Sequence, residues 1–242
     1  MRRTVSFPSV RLSPIKYRLS DPAQGCGADR ADRAYYVPIP FEASEKAMNR
    51  SYCANGIVNL LFVGKYRPYK NIPVLLSTLE RVVNRDNWHA VIVGQAASEE
   101  EIRYKQAVME RINRTGMEGR ITLLENYSYS KMRDLYLASD VLILPSRNES
   151  HGMAIVEAMA HGLMVICTDT CGAAFCNLEA GGIIVKQDDV DSLQEAIECC
   201  LDTPSVIEKK GTNSYMYVQN NLSFDKYYEA LSSLLRCEYR IS

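Results

Sequence analysis

Two carboxylates stand eight positions apart in the stretch Pro145-Ser146-Arg147-Asn148-Glu149-Ser150-His151-Gly152-Met153-Ala154-Ile155-Val156-Glu157-Ala158-Met159-Ala160-His161-Gly162. Glu149 falls in a loop and Glu157 about one turn into the helix that follows it, so a reversal at Gly152 can turn both toward one cleft. A carboxylate can accept both hydroxyl hydrogens of a vicinal diol, which places Glu157 to hold a ribose and Glu149 a sugar ring. The N–H groups of Gly152, Met153 and Ala154 open the helix, and a helix N-terminus offers unpaired donors and a positive dipole end suited to a diphosphate. The competing reading makes Glu149 a cap and Glu157 a surface residue. Against it, the helix is apolar nearly all round, and a carboxylate there needs a partner.

A second cluster is Gly64-Lys65-Tyr66-Arg67-Pro68-Tyr69-Lys70-Asn71. Glycine at a strand end lets backbone approach a ligand, and Lys65 and Lys70 can reach one polyanion as point charges. An ordinary solvated basic loop would look the same. A third, Glu125-Asn126-Tyr127, offers an aromatic on which a base can stack, although a packed loop tyrosine fits equally well.

These clusters need a scaffold, and the chain supplies one. From Ile57 onward, β-branched or leucine-rich runs alternate with helical patterns. Strands are expected at 58–63, 90–93, 121–124, 141–144, 164–168 and 182–185. Helices are expected around Leu75–Val83, over 98–115, 130–138 and 153–161, and from Val190 to Leu201. Two more helices close the chain, the last with Tyr228, Leu231 and Leu235 on one side. Strands buried on both faces and alternating with helices predict an α/β, doubly wound parallel sheet. Such sheets bind ligands beyond the carboxyl ends of their strands, where all three clusters fall.

Residues 1–56 differ from the rest. Pro8, Pro14, Pro22, Pro38 and Pro40 interrupt any period, and Arg2, Arg3, Arg11, Lys16 and Arg18 precede the first acid, Asp21. The segment is either a solvated basic lead-in or one drawn to an anionic membrane surface. With 28 Lys and Arg against 29 Asp and Glu, the net charge of −1 gives no electrostatic reason to expect nucleic acid. No apolar run reaches the length of a membrane span, and no secretory signal opens the chain. The eight cysteines are therefore expected as reduced thiols in a cytoplasmic protein, which the basic lead-in would set at the inner face of the membrane if it touches one. The spacing of Cys167, Cys171 and Cys176 does not match usual zinc sites.

At Pro145–Gly162 the chain resembles the C-terminal, donor-binding domain of retaining GT-B glycosyltransferases of the group 1 (GT4) type, through the pattern Pro-Ser-x-x-Glu-Ser-x-Gly-Met-x-x-x-Glu-Ala-Met-Ala-x-Gly. Phe62-Val63-Gly64-Lys65 with Lys70-Asn71, Ala138-Ser139-Asp140 and Gly181-Gly182 match further pieces of the family's pattern. The resemblance runs from about Ile57 to the last helix, which divides the chain into a lead-in, 1–56, and a Rossmann-like domain, 57–242. It implies a UDP-, GDP- or ADP-sugar as donor and a glycan or lipid-linked acceptor, with retention and with neither metal nor cofactor. It implies that Lys65 and Lys70 neutralise the diphosphate, and that Glu149 acts near the reacting centre. Gly64, Tyr127, Ser146, Gly152, Met153 and Ala154 would line the donor site, with Glu157 on the ribose. Four departures stand out: Lys65 for arginine, Asn71 for glycine, Glu125 for glycine, Met164 for proline.

A complete GT-B enzyme also has an N-terminal acceptor domain, largely absent from this sequence. The expectation is therefore the donor half of a transferase, inefficient alone and completed by a partner chain or self-association. A non-catalytic nucleotide-sugar-binding subunit is the alternative, and epimerases or phosphorylases of the same fold a weaker one.

Overall fold

The computed structural model describes residues 10–13 and 33–239, with side chains from 37 to 236. The basic residues 2, 3, 16 and 18 lie outside the described residues, as does the side chain of Arg11, and the membrane reading of the lead-in lies there with them. Two short strands, β1 (Val10–Ser13) and β2 (Arg33–Tyr36), pair in parallel as a separate ribbon.

The main sheet has six strands, all parallel: β3 (Val58–Val63), β4 (Trp88–Gly94), β5 (Ile121–Glu125), β6 (Val141–Leu144), β7 (Met164–Thr168) and β8 (Ile183–Val185). Their order is β5-β4-β3-β6-β7-β8. β6 and β7 are buried along their whole length, which is why they read as unbroken apolar runs. The chain winds outward from β3 in one direction and from β6 in the other. Right-handed crossovers therefore put α1 (Ile72–Arg81) and α2 (Glu99–Arg114) on one face, and α4 (Met153–Ala160) and α5 (Ala174–Glu179) on the other. α3 (Tyr129–Ala138) connects the two halves. α6 (Val190–Asp202) packs on α1, and α7 (Pro204–Asn221) on α4 and β7. The doubly wound expectation holds, and β3, β6 and β7 keep their expected ends.

One helix was not expected, and the rotation of another was left open. α5 lies in a stretch that carried no helical stripe. Its place is set by Asn177, whose side-chain amide donates to the carbonyls of Val165 (3.2 Å) and Ile183 (3.1 Å). In α8 (Phe224–Tyr239), Tyr228 and Leu235 are exposed, and the inward residues are Tyr227, Ala230, Leu231 and Leu234. Apolar residues occupy adjacent positions there, so the period alone left the rotation of the helix open.

Residues 37–56 carry two short 3-10 turns, Glu45–Asn49 and Ala54–Gly56, and hydrogen-bond to the sheet domain. Ser44 N–H donates to Ala160 O (2.8 Å), and the Tyr52 hydroxyl to Gly162 O (2.8 Å). Asp140 accepts from the amides of Cys53 (3.0 Å) and Asn59 (2.8 Å) and lies beside Arg50 (3.7 Å).

Candidate functional site

The strand order reverses between β3 and β6, so the loops leaving these two strands frame the crevice where an open α/β sheet takes its ligands. One loop carries Gly64 to Asn71 and the other Pro145 to Gly152. They are joined by Arg147 N–H donating to Tyr69 O (2.7 Å).

Lys70 and Glu149 meet in this crevice as an ion pair, with side chains only 11% and 14% exposed. Gly64 makes the pair possible: a Cβ there would stand 3.0 Å from Cδ of Lys70. The glycine expected to admit a ligand thus gives passage to the lysine stem. Gly94, beside it at the end of β4, has no room for a Cβ against the Gly64 carbonyl. Lys65 is exposed and pairs with no carboxylate among the described residues. The two lysines are therefore unlike: one is committed to Glu149, the other faces solvent.

Asn71 explains one departure from the family pattern. It adopts a left-handed conformation (φ 59°), which asparagine tolerates better than most side chains. It also donates to Asp188 Oδ1 (2.9 Å), which a glycine could not do. Arg147 Nε donates to the same oxygen (2.7 Å), and this contact above all holds the Asp188 carboxyl below its ordinary range. Asp188 thus ties the loops after β3, β6 and β8 together. Sequence reasoning did not single it out, because its partners lie 41 and 117 positions away.

Gly152 caps α4 in a left-handed conformation (φ 86°) and contributes no capping side chain. The first amides of α4, at Met153 and Ala154, are left without a side-chain acceptor, at the positive end of the helix dipole. Glu149 Cγ lies 3.4 Å from where a Cβ on Gly152 would stand, so the carboxylate and the helix N-terminus adjoin. His151, between them, has both imidazole nitrogens buried without a described partner. Burial depresses its pKa, against the opposing pull of Glu149.

Glu157 is half-buried one turn into α4. The Tyr136 hydroxyl donates to its Oε2 (2.7 Å), so the partner demanded by an apolar helix is supplied by α3. Ser146 does not join the open face of the site. It is wholly buried, its hydroxyl has no described partner, and its carbonyl accepts from the hydroxyls of Thr168 (2.6 Å) and Thr170 (3.1 Å). Tyr127 is half-buried at the end of β5, with the Lys131 ammonium 5.5 Å from its ring centre. Glu125, another departure, pairs with Lys105. Among the described residues no group of three or more His, Cys, Asp or Glu is placed to hold a metal ion. No helix there is long and apolar enough to cross a membrane.

The arrangement puts the Glu149 carboxylate, its paired ammonium and the open end of α4 at one crevice, with Lys65 in solvent on the loop after β3 and Glu157 one turn further along α4. A diol and a diphosphate are the groups such a set can hold.

The chain is similar to known proteins in sequence and in fold. The model for "Glycosyl transferases group 1" matches residues 58–203. The lipopolysaccharide core biosynthesis mannosyltransferase LpsB of Rhizobium meliloti is 24% identical over 177 residues, 71% of this chain and 49% of that protein. A glycosyltransferase from Rickettsia africae superposes with a TM-score of 0.75 at 20% identity, over 88% of this chain and 59% of the other. HepE of Anabaena, crystallised with UDP-glucose, superposes with a TM-score of 0.72 at 18% identity, over 87% of this chain and 59% of the other. The chain spans about half the length of curated relatives it matches.

Proposed function

The chain belongs to the group 1 glycosyl transferase family, and from that premise we propose that it binds a nucleoside diphosphate sugar in the crevice between β3 and β6 for transfer of the sugar to a glycan or lipid-linked acceptor. The observation that carries the reading is the meeting of Glu149, its partner Lys70 and the uncapped N-terminus of α4 at the point where the strand order reverses, with Glu157 one turn further along the same helix. Relatives named for mannosyl transfer, and a neighbour holding UDP-glucose, support a sugar nucleotide as the donor class.

In this reading the diphosphate lies over the amides of Met153 and Ala154. Lys65 comes in from solvent to pair with it. Lys70 keeps one N–H on Glu149 and turns its remaining donors to a phosphate oxygen, since an ammonium has three. Charge grows on the diphosphate as the glycosidic bond breaks. Fixed amide dipoles and a held ammonium stabilise that charge without reorganising. Glu149, fixed by Lys70, faces the sugar, and Glu157 accepts from the ribose. Retention is part of the proposal and rests on the family pattern. Tyr127 stands by for the base, with its ring shared with Lys131.

Calorimetry with UDP, GDP and ADP tests the donor site. At least one should bind, and Glu157→Gln should weaken it about tenfold or more, the worth of a hydrogen bond to a charged group. Glu149→Gln should weaken the sugar nucleotide more than the bare nucleotide. A folded sample that binds none of the three overturns the reading.

A further inference from the structure

α3 buries one side chain fully, and it is a polar one. Tyr136 is 2% exposed, and its hydroxyl donates to Glu157 Oε2 at 2.7 Å across the gap between α3 and α4. Burial raises the phenol pKa well above its ordinary value, and the negative charge of Glu157 adds to that. The hydroxyl therefore keeps its proton throughout the physiological range and can act toward Glu157 only as a donor.

The ring is fixed from below. His161 stacks on it with centroids 5.2 Å apart and planes 21° from parallel. His161 Nδ1 lies 2.7 Å from the Glu157 carbonyl oxygen, an acceptor, so that nitrogen carries the proton. Arg50 Nη1 in turn donates to the His161 carbonyl (2.8 Å). Glu157, Tyr136, His161 and Arg50 thus form one chain of contacts running from the candidate ligand carboxylate to the segment before β3.

We infer that Tyr136 is a positioning residue for ribose recognition: it engages Oε2 of Glu157 and fixes the carboxylate so that Oε1 is presented to the ribose hydroxyls. The inference rests on the donor-site reading above and adds a residue to it. Two consequences follow from the geometry. A carboxylate with one oxygen already engaged loses less torsional freedom when the diol arrives. Sharing its charge with a donor also reduces its repulsion toward the incoming diphosphate.

The test compares UDP, GDP and ADP with their 2′,3′-dideoxy analogues by calorimetry, in the unaltered chain and in Tyr136→Phe. The unaltered chain should prefer the ribonucleotide of at least one pair by about tenfold. Tyr136→Phe should reduce that preference about three- to tenfold and leave the dideoxy analogue within about twofold, a split that general loosening of the fold would not produce. Glu157→Gln should lower the same preference, and adding Tyr136→Phe to it should change little further. Equal weakening of both members of the pair, or an intact preference, overturns the role of Tyr136 while leaving the donor site standing. Absence of binding by the unaltered chain overturns both. Should Tyr136→Phe fail to fold, 3-fluorotyrosine at 136 retains ring and hydroxyl. It should shift the preference, and an unmoved preference counts against the inference.

Discussion

Replacing Lys70 by methionine keeps most of the unbranched stem and removes the ammonium, leaving Glu149 in the crevice without its cation. Both side chains are nearly nine-tenths covered. Removing one partner of a buried pair costs about 3–5 kcal/mol, because the other charge stays desolvated. The residual exposure lets water reach Glu149, so the lower end, about 3 kcal/mol, applies. For a chain of this size 1 kcal/mol moves Tm by roughly 2–4 °C, which gives a fall of about 6–12 °C. Glu149→Gln should cost less, about 1–2 kcal/mol, since the lysine stem can carry its ammonium outward to water. The double variant, Lys70→Met with Glu149→Gln, holds no unpaired charge. It should recover about 1–2 kcal/mol relative to the sum of the singles. Urea unfolding followed by circular dichroism measures all four proteins. A Lys70→Met midpoint indistinguishable from the parent, or a double variant equal to the sum, would refute the claim that the pair is coupled.

Gly94→Ala forces a Cβ onto the Gly64 carbonyl and should destabilise by about 1–3 kcal/mol in the same urea assay; an unchanged midpoint would show that the strand ends can part freely. At position 71, Asn71→Val should be clearly worse than Asn71→Gly, because the left-handed backbone penalises a β-branched side chain most; equal losses would mean that the bond to Asp188 is all that matters. Stability should also fall with acid. Burial lowers the pKa of His89, His151 and His161 in the folded chain, so the unfolded chain binds protons first as pH drops through about 6.5. That contribution is complete above pH 6.5 and is lost as pH falls toward the depressed values. The urea midpoint should therefore be lower at pH 5.5 than at 7.5, and a flat profile would contradict the burial of these rings.

Much of the scaffold was legible because its strands are buried on both faces. Largely apolar runs bounded by Gly64, Pro145 and Gly162 mark β3, β6 and β7 with little ambiguity, Asn59 being the one polar residue of β3. α5 was not legible, since a six-residue helix held by one asparagine has no period to detect. The two glutamates, one before α4 and one within it, could be read from their spacing in a single stretch of chain. Their partners could not. Lys70 reaches Glu149 across 79 positions, and Tyr136 reaches Glu157 from another helix. The demand for a partner at Glu157 was visible in the apolar character of α4, but that demand does not say whether protein or ligand meets it. Here a tyrosine takes one oxygen. Asn71 shows the reverse case: an apparent departure from the family pattern becomes intelligible once its φ and its bond to Asp188 are known.

The central claim is a place as much as a function, and a crystal structure of the chain soaked with UDP, GDP or ADP tests it most directly. The account predicts diphosphate density over the N-terminus of α4, within hydrogen-bond distance of the Met153 and Ala154 amides, with a ribose hydroxyl on Glu157 Oε1 and Tyr136 still on Oε2. Nucleotide density away from the carboxyl ends of β3 and β6, or a ribose that leaves Glu157 untouched, would contradict it.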